Sequence, residues 1–267
     1  MRVFFLGGPS PFFASESKLL QTEVFLAPAL ISIIVPILNE AQGLLPFYEH
    51  LSSQESPWEL ILVDASATSS FPPSLQNLPQ VTLLHSSLGR GKQMNVGGSA
   101  SQGEILFFLH VDLRLPSKAL QQIREAISHG YCGGGFFKKF TPSHFLLLVN
   151  QFFLNWIRTR LFRSMVGTNG IFCSRAVFQK MQGFREWPFL EDVDFSDRLK
   201  KQGLLKFFKT PILVSARKYQ KEGVWKRTFK NIYILFLFRF LQKDPHSLVK
   251  YYASDPASST LDSGIIS

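Results

Sequence analysis

LISIIVPILNE, residues 30–40, decides the fold. Ser32 and Pro36 are its only interruptions before the chain turns polar at Asn39 and Glu40. A strand with one wet face alternates apolar and polar residues, whereas a run without alternation is covered on both faces, as in a parallel sheet. Three further runs have the same character: WELILVDAS (58–66), VTLLHS (81–86) and EILFFLHVD (104–112). Between the first two, EAQGLLPFYEHLSS fits a crossover helix whose first turns are loosened by Gly43 and Pro46. After the fourth, PSKALQQIREAISHG reads as a helix opened by Pro116 and stopped by Gly130. This repeated β-α alternation predicts an open α/β sheet, mostly parallel, with helices on both faces and ligands at the carboxyl ends of the strands.

The second half changes character. GGGFFKKF (133–140) reads as an antiparallel strand, FLLLVNQFFLNWIRTRLF (145–162) as a strongly apolar helix, and LLKFFKTPILVSAR (204–217) as a further β segment. EDVDFSDRLKKQG (191–203) is a helix with acids in its first turn and bases in its last, the arrangement the helix dipole favours. A basic, aromatic helix is expected from Trp225 to Leu241. Residues 1–28, MRVFFLGGPSPFFASES onward, are broken by Gly and Pro and fit neither a signal peptide nor the fold. The expected organisation is an extension over 1–28, a main domain over 29–222, a basic and aromatic helical region over 223–252, and a disordered tail over 253–267.

Composition narrows the class. Charged residues make up 18% of the 267, below the roughly 25% usual for soluble domains, and the 27 Phe are in excess, so apolar surface is expected. Lys and Arg outnumber Asp and Glu by 29 to 19, and the net charge of +10 favours a polyanionic partner: a phosphorylated small molecule, an anionic membrane surface or nucleic acid. The basic residues are dispersed and no recognition motif is present, which argues against nucleic acid. The two cysteines, Cys132 and Cys173, have no metal-type or disulfide spacing and fit packing residues in a reducing cytoplasm. No stretch reaches the ~20 apolar residues of a spanning helix. NIYILFLFRFL (231–241) is too short and carries Arg239.

Each strand of the first half ends in polar residues: Asn39 and Glu40, Asp64, Arg90 and Lys92, then His110 and Asp112. A carboxylate such as Asp64 suits a ribose hydroxyl or a base edge. Gly89 and Gly91 around Arg90, with a helix start nearby, suit an anion. GRGKQMNVGG is neither a P-loop, since Gln93 follows Lys92, nor a dinucleotide fingerprint, since Met94 stands at the last glycine position.

Taken in order, SIIVPILNE, LILVDAS, GRGKQMN, LHVDLRLP, LEDVDFSDRL and ARKYQKEGVWKRT resemble a family 2 glycosyltransferase of the GT-A fold, a Rossmann-like three-layer α/β architecture, over about residues 30–245. The likeness is nearest to a bacterial subgroup with H-x-D in place of D-x-D, often labelled for arsenosugar biosynthesis. It implies transfer of a sugar from a UDP- or GDP-sugar to an acceptor hydroxyl, with Mn²⁺ or Mg²⁺ on the diphosphate. Asp112 would hold the metal, joined by His110, whose imidazole would favour Mn²⁺, or His110 would contact the donor without touching metal. Pro36, Asn39, Glu40, Asp64, Arg90, Lys92 and His110 would bind the nucleotide-sugar, and Arg217 and Lys218 would close over the diphosphate.

In isolation, Glu191 and Asp192 read as dipole compensation at a helix start. The likeness instead makes Asp192 the general base, Glu191 a residue that places the acceptor hydroxyl, and the reaction a single inverting displacement. Arg114 is expected to pair with an acid. Ala65, Ser69, Thr168 and Asn169 depart from the family pattern. Apolar 145–162 and basic 225–241 would either seat the enzyme on the inner membrane face near a lipid-linked acceptor or pack on the sheet or at a dimer interface. Two other readings compete. A sugar-phosphate nucleotidyltransferase would need a glycine-rich basic loop after the first strand, which PILNEAQG lacks. A non-catalytic basic module would bind membrane alone.

Overall fold

A computed structural model describes residues 27–68, 71–143, 145–216, 219 and 223–253. Apart from residues 27, 28 and 253, the expected extension and tail lie outside the described residues, as do Ser69, Arg217 and Lys218.

The sequence runs form strands in the expected order: β1 (Ile31–Ile37), α1 (Ala41–Ser52), β2 (Trp58–Asp64), the short α2 (Pro73–Gln76), β3 (Val81–His85), α3 (Arg90–Ala100), β4 (Ile105–Phe108) and α4 (Ala119–Ser128). There follow β5 (Gly133–Thr141), α5 (Phe145–Phe152) with a π-helical continuation over Phe153–Leu161, a 3₁₀ turn at Gly167–Asn169, β6 (Ile171–Ser174), α6 (Arg175–Lys180), α7 (Glu191–Leu199), β7 (Leu205–Ser215), α8 (Val224–Arg239) and α9 (Pro245–Ala253).

The seven strands make one sheet in the order β3-β2-β1-β4-β6-β5-β7. Strands β1 to β4 are mutually parallel, and Ile37, Asp64 and His85 lie abreast, so the first three strands end flush. Strand order reverses between β1 and β4, which opens a crevice beyond their carboxyl ends. The 133–140 segment does pair antiparallel, with β6, yet it runs the same way as β1–β4 and lies parallel to β7. The reversed strand is β6, four residues long, whose signal was too short to read from the sequence.

The unbroken apolar strands are explained by packing on both faces. Ile31, Ile33, Val35 and Ile37 join Leu44, Phe47, Leu51, Leu120 and Ile123 of α1 and α4 in one core. Ile34, Ile61, Val63, Leu106 and Phe108 face Met94 of α3, Phe195 of α7, Phe178 and Phe184 in the other. Part of the phenylalanine excess is spent there: Phe184 stacks on Phe195 at 3.9 Å and 13°, with the Phe108 ring edge-on to both. Helix α3 lies close to the sheet because a Cβ on Gly97 would come within 2.5 Å of Ile34 Cγ2. Helices α8 and α9 contribute Ile234, Leu237 and Leu248 to a small third core with Phe189. Arg239 anchors α8 by donating to Asp197 at 2.7 Å and to Ser164 at 2.9 Å.

Candidate active site

The rim of β1 and β2 is tied off first. Asp64 is buried, and its Oδ1 accepts from the Ser66 amide at 2.9 Å and the Ser66 hydroxyl at 2.6 Å; that hydroxyl accepts from the Asn39 amide at 2.8 Å. Asn39 itself is left-handed, with φ 54°. Gln93, fully buried, donates to both Ile37 O and Val63 O at 2.8 Å and so fixes α3 across the two strand ends. Arg90 is thereby placed in the first turn of α3, above the crevice.

The second wall comes from α7. Leu190, left-handed at φ 65°, turns the chain sharply into the helix, a strained conformation typical of functional sites. Asp192 accepts the Gly167 amide on Oδ2 at 2.6 Å and the Val193 amide on Oδ1 at 2.7 Å. His110 lies over the same Gly167: a Cβ there would come within 2.3 Å of Nε2. The imidazole from the end of β4 and the carboxylate from the start of α7 are thus both held against one glycine.

A single cleft of about 650 Å³ gathers Glu40, Arg90, His110, Asp112, Glu191 and Asp192. Asp64 and Asn39 form the hydrogen-bonded corner described above, Pro36 is buried within β1, and Lys92, one turn into α3, packs near Gly89; none of these four lines the cleft. Arg217 and Lys218 lie outside the described residues, although Tyr219 beside them lines the cleft. The expected acidic partner of Arg114 is not found among the described residues: its backbone pairs with Leu213, and Nη1 is buried without a hydrogen bond.

Charge in the cleft is uneven. Burial pushes the Glu191 carboxyl up to about 7, the adjacent Asp192 charge adds to the rise, and the Arg90 guanidinium opposes it. Two neighbouring carboxyls therefore stand in different surroundings, Glu191 buried and Asp192 beneath two amides.

Sequence reasoning missed the far wall. Lys138 of β5 is buried, donates from Nζ to Thr168 Oγ1, and lines the cleft together with Arg227 of α8, whose guanidinium stands 5.5 Å from the Tyr219 ring centre. Two adjacent lysines in GGGFFKKF do not say which face is covered; Lys138 shares the buried face of Phe136 and Phe140, and Lys139 is exposed.

Among the described residues no three His, Cys, Asp or Glu side chains converge into a closed metal cage. His110 and Asp112 both line the open cleft and offer it an imidazole and a carboxylate as donors.

A family model described as Glycosyl transferase family 2 matches residues 32–186. Among solved structures, S. aureus TarS 1–349 is similar at 17% identity and a TM-score of 0.56, over 78% of this chain and 65% of that one. Its complex with UDP-GlcNAc gives 18% and 0.54, over 69% and 58%. Mannosyltransferase PcManGT from Pyrobaculum calidifontis, in complex with GDP-Man and Mn²⁺, gives 17% and 0.56, over 88% and 72%. The chain spans less than two thirds of the length of the TarS structures. No curated protein matches. The similar structures share the α/β sheet architecture described above.

Proposed function

This chain belongs to glycosyl transferase family 2, and from that premise we propose that it transfers a sugar from a UDP- or GDP-sugar to an acceptor hydroxyl in one inverting displacement. The observation that carries the reading is one cleft lined by Arg90, His110, Asp112 and Asp192, with Gly167 hydrogen-bonded to Asp192 and packed by the His110 ring. The UDP-GlcNAc and GDP-Man complexes of the similar proteins support the donor class.

In this reading the nucleoside lies at the β1–β2 rim near Pro36, Asn39 and Asp64. Arg90, with Arg217 and Lys218, holds the diphosphate by charge-assisted hydrogen bonds. His110 and Asp112 would hold Mn²⁺ or Mg²⁺, which supplies positive charge against the leaving diphosphate. Asp192, its oxygens oriented by the Gly167 and Val193 amides, takes the proton of the acceptor hydroxyl as that oxygen attacks the anomeric carbon. Glu191, its carboxyl pushed up to about 7 by burial, positions the acceptor while carrying less negative charge near neutrality than an ordinary carboxyl.

A peripheral membrane position at the cytoplasmic face completes the proposal. Phe145, Phe152 and Trp156 on the α5 side and Trp225, Phe229, Tyr233 and Phe236 on α8 are exposed, with Lys226 and Lys230 on the same helix. Aromatic stripes flanked by bases suit an anionic interface. Among the described residues no helix is long and apolar enough to cross a membrane.

The test is donor turnover with UDP-GlcNAc and GDP-Man in the presence of Mn²⁺. Asp112→Ala and Asp192→Asn should each abolish transfer in folded protein; full activity in either rejects the assigned role. Release of pyrophosphate instead of a nucleoside diphosphate would favour a nucleotidyltransferase. Donor-independent flotation on phosphatidylglycerol vesicles, with no turnover, would favour a membrane-binding module.

A further inference from the structure

The cleft has two chemically different halves. Toward β1 and β4 it carries charges of both signs, with Glu40, Arg90, His110 and Asp112. Toward β5, β7 and α8, past Asp192, its charged lining residues are Lys138 and Arg227, both cationic, among the apolar side chains Phe140, Leu154, Val214 and Leu235. The two cations come from elements far apart in the chain, a strand and a helix, and turn toward one space.

Lys138 is only 4% exposed, where a lysine needs polar partners for its ammonium. Its ammonium contacts Thr168, the residue after the glycine whose amide holds Asp192. The cation therefore stands one residue along the chain from the group that grips the carboxylate at the reacting end of the cleft. In a partly enclosed, low-dielectric space, like charges of this kind concentrate an anion and make its hydrogen bonds stronger than in open water.

We infer that the β5–β7 half of the cleft takes an acceptor with an anionic group, a phosphate or carboxylate, on an apolar body, the anion held by Lys138 and Arg227 with the acceptor's hydroxyl toward Asp192. This rests on the transferase reading and names the substrate class it leaves open. The anion can come from a free metabolite or from a lipid headgroup. The same α8 that carries Arg227 into the cleft presents Phe229 and Phe236 on its outer face.

Calorimetric titration of the full chain with octyl phosphate, octanol and inorganic phosphate, with and without UDP or GDP and Mn²⁺, tests the inference. Octyl phosphate should bind at least about tenfold more tightly than octanol, and Lys138→Met and Arg227→Met should each weaken it by about tenfold, the weight of one hydrogen bond to a charged group. Octyl phosphate binding more tightly than inorganic phosphate assigns a lipid-like acceptor. Equal affinities that both variants weaken assign a small anionic one.

Octanol binding as tightly as octyl phosphate, or anion binding that neither variant weakens, overturns the inference. Should Lys138→Met fail to fold, Arg227→Met decides alone. Failure of the wild-type chain to bind either nucleoside diphosphate strikes at the transferase reading, and the titrations without nucleotide still report separately whether Lys138 and Arg227 hold an anion.

Discussion

Replacing Glu191 by Gln should remove a pH dependence built into the cleft. Three influences act on this carboxyl: burial and the Asp192 charge favour its protonated form, and Arg90 favours the ionised one. The first two win, since the group is held at about 7 against an ordinary 4.5. Between those values the folded chain keeps a proton that the unfolded chain has released, so stability from this site is complete below about 4.5 and is lost as pH rises through 7.

The gap corresponds to about 3 kcal/mol. Urea denaturation of wild type and Glu191→Gln at pH 4, 6 and 8 measures it, because groups that do not interact with Glu191 cancel in the difference. Wild type should lose about 3 kcal/mol relative to the variant between pH 4 and pH 8, on the order set by linkage. Parallel curves would refute the reasoning. A relative gain by wild type at high pH would show that the Arg90 attraction outweighs burial.

Three other outcomes are expected. Gly167→Ala puts a Cβ 2.3 Å from His110 Nε2 and must displace the imidazole, so donor turnover should fall at least about tenfold while circular dichroism is unchanged; full turnover would show that the His110 position does not matter. Gln93→Leu leaves Ile37 O and Val63 O without their side-chain donor at the sheet rim and should cost about 2 kcal/mol or more in denaturant unfolding; an unchanged midpoint would remove Gln93 from the account of how α3 is held. Burial pushes both the Cys173 and Cys132 thiols above their ordinary range, so at pH 8 neither should react quickly with a thiol reagent, and fully buried Cys173 should react only on unfolding. Fast labelling of Cys173 in native protein would contradict its place between the sheet and α7.

The chain's own order of residues settled the strands β1 to β4 and the polar tips that follow them, because burial on both faces and the end of a strand leave local signatures in residue type. The acids opening α7 were equally visible, since a helix start favours them whatever their use. Other features depended on contacts between distant segments. The reversal of β6 lay in four residues with no pattern of their own. The contact of His110 with Gly167, and of Gly167 with Asp192, joins β4, a 3₁₀ turn and α7. The rise of Glu191 and the burial of Lys138 beside exposed Lys139 likewise follow from what packs around them. Hydrophobic period is a property of neighbours along the chain, and sequence alone determined it; desolvation and charge are properties of neighbours in space, and only the tertiary structure decided which carboxyl keeps its proton and which lysine enters the cleft.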